Sequence, residues 1–329
     1  MKRIAVMGLG NFGTALARNW ILAGHDVRGW TVEQEVYDSI SSEGNNEKYL
    51  SDVSLSGMEV SMDPTKIISG AEIVVLALPS GVVLSVVDDL LPHLTSHQVL
   101  LDLAKGLAPG EEMISDVIEA KLQAAGLKCG LCVMMGPTIA PELARGVFTT
   151  ALITSKKLIL AEEIAEHLTT STLRLSAATD SLGAEYWGAF KNVIALACGV
   201  VDGLKQDGRG GDNLKAAVFT SGYREAVKLL PELGADPETA FSAAGIGDLF
   251  VTATSPHGRN REMGERLGLG QTLAAAEKDM VMVSEGVRAA RLFKTLFASK
   301  AIAAPFVDAV CALLDEGTTV EEFIDKVVA

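Results

Sequence analysis

Basic residues are in short supply. Lys and Arg total 28 against 42 Asp and Glu, a formal net charge of −14. A general nucleic-acid binder needs a basic face, so this composition speaks against that class. An anionic ligand would need a locally positive pocket set against the global field. Cysteine is equally scarce, with four residues in 329. That excludes a disulfide scaffold and leads us to expect a reducing, cytoplasmic setting. Cys129 and Cys132 have C-x-x-C spacing, but they lie in an apolar, strand-like stretch at 128–135. Residues three apart on a strand face opposite sides, so this pair reads as core packing, and no metal is expected. No apolar run approaches the ~20 residues of a membrane span; the run at 73–78 stops at Pro79. The start, MKRIAVMGLGNFGTALA, imitates a secretion signal, but Gly8, Gly10, Asn11 and Gly13 break its apolar core. No membrane partner is expected.

What is present is an alternation. Hydrophobic residues make up 48% of the chain and glycines number 32, so disorder is excluded and a chain this long suits two domains. Short apolar runs at 3–7, 26–30, 73–78, 99–103 and 131–135 read as strands, with weaker candidates at 149–154 and 172–176. Helical stretches at 14–23, 111–125 and 158–168 separate several of them. Strands that are apolar on both faces and alternate with helices argue for a parallel sheet wrapped by helices. From about Gly183 the strand signal ends and Ala-rich helices follow, at 184–201, 214–230, 237–244, 272–276, 287–298 and 305–314, with a last short one opening at Thr319.

Gly8-Leu9-Gly10-Asn11-Phe12-Gly13 fits G-x-G-x-x-G between the first strand and the first helix. The first glycine allows a tight turn, the second lets backbone approach a pyrophosphate, and the third lets helix and strand pack closely. The helix start offers free N–H groups to phosphate. The plain alternative is an ordinary strand-to-helix turn. In this context we expect an N-terminal Rossmann-type doubly wound α/β domain at 1–183 and an all-α domain at 184–329. Glu33, twenty positions past Gly13 and just beyond the second strand, suits a ribose 2′-hydroxyl and would repel a 2′-phosphate. Its alternative is the start of a solvated helix. The residue leans the cofactor expectation toward NAD over NADP.

Four further sites carry chemistry. Lys191 and Asn192 interrupt the apolar helical run 189–199; a buried Lys suits proton exchange with a carbinol oxygen, whereas a snorkelling Lys does no chemistry. Asp248 follows Gly245 and Gly247, and Arg259 with Asn260 offers a donor fork and an amide suited to phosphate or carboxylate; the alternative is a solvated loop. Lys105 and Gly136 each follow a buried strand, where doubly wound sheets bind ligands. Gly8, Lys105 and Gly136 are therefore expected to converge on one crevice.

Taken together these residues resemble the bacterial-type NAD(P)-dependent sn-glycerol-3-phosphate dehydrogenases. The resemblance rests on GLGNFGTALA at 8–17, NNEKYL at 45–50, ALPS at 77–80, AKG at 104–106 and GPTIAPE at 136–142. It continues through KNVIALACGVVDGL from Lys191, GDN at 211–213, GADPET at 234–239, AGIGDLFVTATS at 244–255, GRN at 258–260 and Ser-Glu-Gly at 284–286. It implies that Lys191 is the proton donor, that Lys105, Asp248, Arg259 and Asn260 hold dihydroxyacetone phosphate or glycerol 3-phosphate, and that Gly136 and Thr138 line the pocket. It also implies that Asn11, Phe12, Lys105, Ala140, Arg259, Val283 and Glu285 touch the cofactor. A cytoplasmic homodimer that supplies glycerol 3-phosphate for phospholipid synthesis completes the expectation. The chain departs from the family at Gly258 and Ala253, where Ser and Cys are usual, and at Val32 and Glu33, where a basic residue or His is common. Only the backbone of Gly258 can then serve a ligand, and the acid weighs against NADP. A 3-hydroxyacid dehydrogenase, which also pairs Lys with Asn, and a non-catalytic NAD(H) sensor are the competing readings.

Overall fold

The computed structural model describes residues 1–108, 112–255, 258–280 and 284–328. The chain divides into two compact units, Met1–Ser181 and Leu182–Ala329.

The first unit runs β1 (Arg3–Met7), α1 (Asn11–Leu22), β2 (Asp26–Trp30), α2 (Gln34–Glu43), β3 (Asn45–Asn46), β4 (Leu50–Ser54), β5 (Glu59–Ser61), α3 (Pro64–Ile68), β6 (Ile73–Leu76) and α4 (Val83–Leu90). It continues with β7 (Val99–Asp102), α5 (Ile114–Ala124), β8 (Gly130–Met135), α6 (Ala140–Ala144), β9 (Thr149–Thr154), α7 (Leu158–Leu168) and β10 (Leu173–Ala178). Eight strands form one sheet in the order β10-β9-β8-β7-β6-β1-β2-β5, while β3 and β4 pair as a separate hairpin. The order reverses between β1 and β6, which makes the C-terminal ends of those strands the switch point of a doubly wound sheet. Pairing is parallel except between β8 and β9, which run antiparallel, so the sheet is not parallel throughout.

Strand alternation builds the two layers of this core. Ile4, Val6, Val75, Leu101, Cys132 and Met134 share one layer with Leu16 and Trp20 of α1 and Ile164 of α7. Ala5, Met7, Val74, Leu76 and Leu100 share the other with Val83 and Val87 of α4 and Ile114 and Ile118 of α5. Cys132 thus faces the first layer, while Cys129 lies against the second. Its Sγ donates to the Thr95 carbonyl at 3.1 Å, so the pair does not converge on a ligand.

The second unit is helical: α8 (Ser181–Gln206), α9 (Asp212–Leu229), α10 (Asp248–Thr254), α11 (Arg259–Gly268), α12 (Leu273–Asp279), α13 (Glu285–Ser299), α14 (Pro305–Asp315) and α15 (Val320–Val328). By length and hydropathy α8 could cross a membrane, yet 94% of its apolar window is buried within the structure. Phe190 of α8 meets Phe293 of α13 edge to face at 4.8 Å, and Phe293 stacks on Phe297. The helix expected at 237–244 is instead a 3-10 turn, Pro237–Phe241, followed by a π turn, Ala243–Gly247.

Candidate active site

The Gly-rich turn joins β1 to α1. Gly8 has φ 103°, which a side chain rarely adopts, and a Cβ there would lie 2.5 Å from the Ala77 carbonyl oxygen. A Cβ on Gly13 would collide with the Gly8 carbonyl oxygen. Gly10 differs, because a Cβ there would meet no atom within 4 Å. Gly10 is also the N-cap of α1, with no side-chain acceptor on the first amides and no acid in the first turn. The helix thus presents uncapped N–H groups beside open space, the arrangement an anionic pyrophosphate requires. Asn11 is exposed, Phe12 half-buried against the core layer, and Ala140 begins α6 on that same layer.

Three strand ends meet beside this turn. Gly8 abuts Ala77 just after β6, Gly106 abuts Ser80, and Lys105 Nζ donates to the Gly136 carbonyl at 3.2 Å. Gly136 has φ 152°, and a Cβ would lie 2.9 Å from Ala151 Cα, so backbone alone occupies this position. Thr138 Oγ1 donates to the same carbonyl at 3.3 Å. Lys105 and Gly136 thus meet directly, while Gly8 is linked to them only by way of the 77–80 segment.

Glu33 ends the β2 connection and is the N-cap of α2. It begins a helix, yet its carboxylate is not left to solvent. Lys48 Nζ donates to Oε2 at 2.6 Å and Tyr49 Oη to Oε1 at 2.8 Å. The Lys48 hydrogen bond, helped by Tyr49, holds this carboxyl below its ordinary range against the opposing effect of burial.

In the second unit Lys191 is 4% exposed, which overturns the snorkelling alternative. Its ammonium pairs with Asp248 Oδ1 at 2.5 Å and donates to Thr252 Oγ1 at 3.0 Å. The Thr252 hydroxyl in turn donates a hydrogen bond to the Asp248 backbone carbonyl at 2.6 Å. An opposite charge at this distance favours the ammonium form against desolvation. Asp248 owes its place to the π turn. Ser242 Oγ caps the turn, Gly245 takes φ −85° and ψ −106°, and α10 then starts at Asp248 itself, 2% exposed.

Arg259 and Asn260 open a helix, α11, where a solvated loop was the alternative. Helices α8 and α11 touch along glycines. A Cβ on Gly264 would collide with the Leu196 carbonyl oxygen, one on Gly199 with that of Arg261, and one on Gly268 with that of Val200. This approach brings Asn260 to the residue after Lys191, and its Nδ2 donates to Asn192 Oδ1 at 2.8 Å. Asn260 Oδ1 in turn accepts from Ser284 Oγ at 2.9 Å and from Gly286 N–H at 2.8 Å. The carboxamide expected to hold substrate is thus largely committed to tying α8, α11 and α13 together. Arg259 and Glu285 are exposed at the first positions of α11 and α13. Gly258 is the N-cap of α11, and a Cβ there would lie 3.2 Å from the Thr252 carbonyl oxygen. Val283 lies outside the described residues. Sequence reasoning left out Thr252 and the Asn192–Asn260–Ser284 network; the signal for the network was the polar interruption of an apolar helix at Asn192.

Comparison with known proteins gives the same picture over both units. A family model described as NAD-dependent glycerol-3-phosphate dehydrogenase N-terminus matches residues 3–161, and its C-terminal companion matches 180–325. The chain is 37% identical over 328 residues to a glycerol-3-phosphate dehydrogenase [NAD(P)+] of an Exiguobacterium species, covering 99% of this chain and 95% of that one. A protein of the same description from Staphylococcus aureus is 36% identical over 330 residues, covering 98% and 97%. Among solved structures, the glycerol-3-phosphate dehydrogenase of Coxiella burnetii superposes with TM-score 0.87 at 28% identity, covering 99% of this chain and 98% of that one.

Proposed function

The chain belongs to the NAD-dependent glycerol-3-phosphate dehydrogenase family, and from that premise we propose how its residues divide the work. The enzyme interconverts dihydroxyacetone phosphate and sn-glycerol 3-phosphate with NAD(P)H and supplies glycerol 3-phosphate for phospholipid synthesis. The one observation that carries this reading is the Lys191 ammonium, buried and held by Asp248 and Thr252. When bound, the nicotinamide supplies the hydride to C2 of the ketone or accepts it from the alcohol.

Lys191 donates a proton to the ketone oxygen as that oxygen gains negative charge, and takes it back in oxidation. Asp248 and Thr252 position the ammonium. Lys105, held on the Gly136 carbonyl, and Arg259, at the start of α11, supply positive charge for the substrate phosphate. Gly258 adds only its backbone, and Asn260 contributes through the network that orients Asn192. Gly8, Gly10 and Gly13, with the first amides of α1 at Asn11 and Phe12, hold the cofactor pyrophosphate, and Glu33 accepts from the adenosine ribose. Ala140 and Glu285 border the cofactor in this scheme. The acid at position 33 makes NAD(H) the preferred cofactor, and a cytoplasmic homodimer is the form in which we expect the enzyme to work.

Purified protein should oxidise NADH with dihydroxyacetone phosphate and form glycerol 3-phosphate. A substrate panel that shows turnover of 3-keto acids and none of ketose phosphates would reassign it. Arg259→Ala should raise KM for dihydroxyacetone phosphate far more than for unphosphorylated dihydroxyacetone, and an equal effect on both would remove Arg259 from the phosphate site.

A further inference from the structure

We propose that Lys48 and Tyr49, carried by the β3–β4 hairpin, are specificity-determining residues for the cofactor. They hold the Glu33 carboxylate as the ribose acceptor, and Lys48 is the cation that a 2′-phosphate engages once Glu33 is gone. The proposal rests on the reading of Glu33 as the ribose acid.

The hairpin is built into the dinucleotide turn. Asn46 is fully buried, and its Nδ2 donates to the Leu9 carbonyl at 2.8 Å and to Thr14 Oγ1 at 2.9 Å. Leu9 lies inside the Gly-rich turn and Thr14 in the first turns of α1. The Tyr49 N–H then donates to the Asn46 carbonyl at 3.2 Å, which fixes the chain one residue past Lys48. Asn46 thus ties the hairpin to the pyrophosphate end, and Lys48 and Tyr49, two and three residues further on, reach the carboxylate at the ribose end. Lys48 also pairs with Glu35 and lies 5.7 Å from the centre of the Tyr49 ring.

Each Glu33 oxygen receives one donor, Lys48 on Oε2 and Tyr49 on Oε1. An ionised carboxylate has about four acceptor sites, so each oxygen keeps capacity for one hydroxyl of a ribose diol. A 2′-phosphate is largely dianionic at neutral pH and meets the carboxylate charge, a repulsive element that selects against NADP(H). The cation on β2, Arg28, is engaged by Asp26 at 3.7 Å and Glu59 at 3.3 Å. Lys48 is therefore the ammonium placed to change partner from the Glu33 carboxylate to a phosphate.

The test is steady-state kinetics with NADH and NADPH on wild type, Glu33→Ser, Lys48→Met and the double variant, all checked for unchanged thermal unfolding. Wild type should favour NADH by tenfold or more in kcat/KM. Glu33→Ser should raise kcat/KM for NADPH at least tenfold and lower it for NADH. Adding Lys48→Met should abolish most of the NADPH gain, and Lys48→Met alone should raise KM for NADH several-fold. If Glu33→Ser shifts the preference and Lys48→Met leaves that shift intact, the role of Lys48 is overturned while Glu33 stands. If Glu33→Ser changes neither cofactor's KM, the ribose assignment itself fails.

Discussion

At the scale of single residues, Lys191 and Asp248 dominate. Both are almost fully buried and meet at 2.5 Å. Desolvating two charges is expensive, and removing one partner typically costs about 3–5 kcal/mol because the other is left uncompensated, while replacing both by apolar groups is often neutral. Asp248→Asn should therefore lower the urea-unfolding free energy by about that amount. A Lys191→Met/Asp248→Leu double variant should recover most of it while remaining inactive. Equal stability of Asp248→Asn and wild type would show that the pair carries no charge-compensation role. Lys191→Ala should lower kcat by about 10²–10⁴-fold, the usual value of positioned proton transfer, with cofactor affinity spared; near-normal turnover would remove Lys191 from the chemistry. The Lys191 and Asn192 signal was legible because two polar residues interrupt an apolar run. Thr252 was not, because a Thr in a polar cluster gives no hint that it is the ammonium's second acceptor.

At the scale of elements, legibility followed burial. Strands β1, β6, β7 and β8 are apolar on both faces, and that composition marks them in sequence. The hairpin Leu-Ser-Asp-Val-Ser of β4 and the three-residue β5 are polar and short, so no periodic signal announces them. Direction is also invisible in composition, which hides the antiparallel β9. Helix α11 went unseen for another reason. It is highly polar, and what fixes it is Gly264, Gly268, Gly199 and Gly203 letting two backbones approach, a feature of three-dimensional pairing. Gly264→Ala should cost about 1–3 kcal/mol by overpacking and should lower activity, because Arg259 and Asn260 ride on the same helix. Thermal unfolding and kcat measured together check this, and an unchanged melting point would refute the close approach. The dinucleotide turn offers a sharper contrast. Gly10→Ala adds a methyl to open space, so it should fold normally and weaken NADH binding; Gly13→Ala drives a methyl into the Gly8 carbonyl and should destabilise the fold. Titration of NADH fluorescence alongside melting curves separates the two. Equal effects would mean that Gly10 does not face the cofactor.

At the scale of the whole molecule, charge governs the response to pH. The chain is strongly acidic, and several of its carboxylates are held below their ordinary range by cations: Glu33 by Lys48, Glu72 by Lys2 and Asp315 by Arg291. Such groups contribute stability that is lost only as pH falls into the acid range. Asp102 opposes them. It is fully buried at the end of β7, between Leu76 of β6 and Val133 of β8 in register. Its Oδ1 accepts from the Ala104 N–H at 3.1 Å, while Oδ2 has no partner among the described residues. Burial pushes its carboxyl up to about 7, against the backbone hydrogen bonds that lower it. The folded state therefore keeps a proton that the unfolded chain releases near pH 4. The unfolded state binds fewer protons between about pH 4 and 7, so stability falls as pH rises through that window and levels off above it. The limiting slope is about 1.4 kcal/mol per pH unit. Asp102→Asn keeps the acceptor for Ala104, removes the titration and adds a penalty that does not vary with pH. The stability difference between wild type and this variant, measured by urea unfolding at pH 5, 6, 7 and 8, cancels every other titrating group. Wild type should lose ground to the variant steadily from pH 5 to 7 and change little more from 7 to 8. Parallel stability curves over that range would show that Asp102 is ionised throughout, and that some donor satisfies Oδ2.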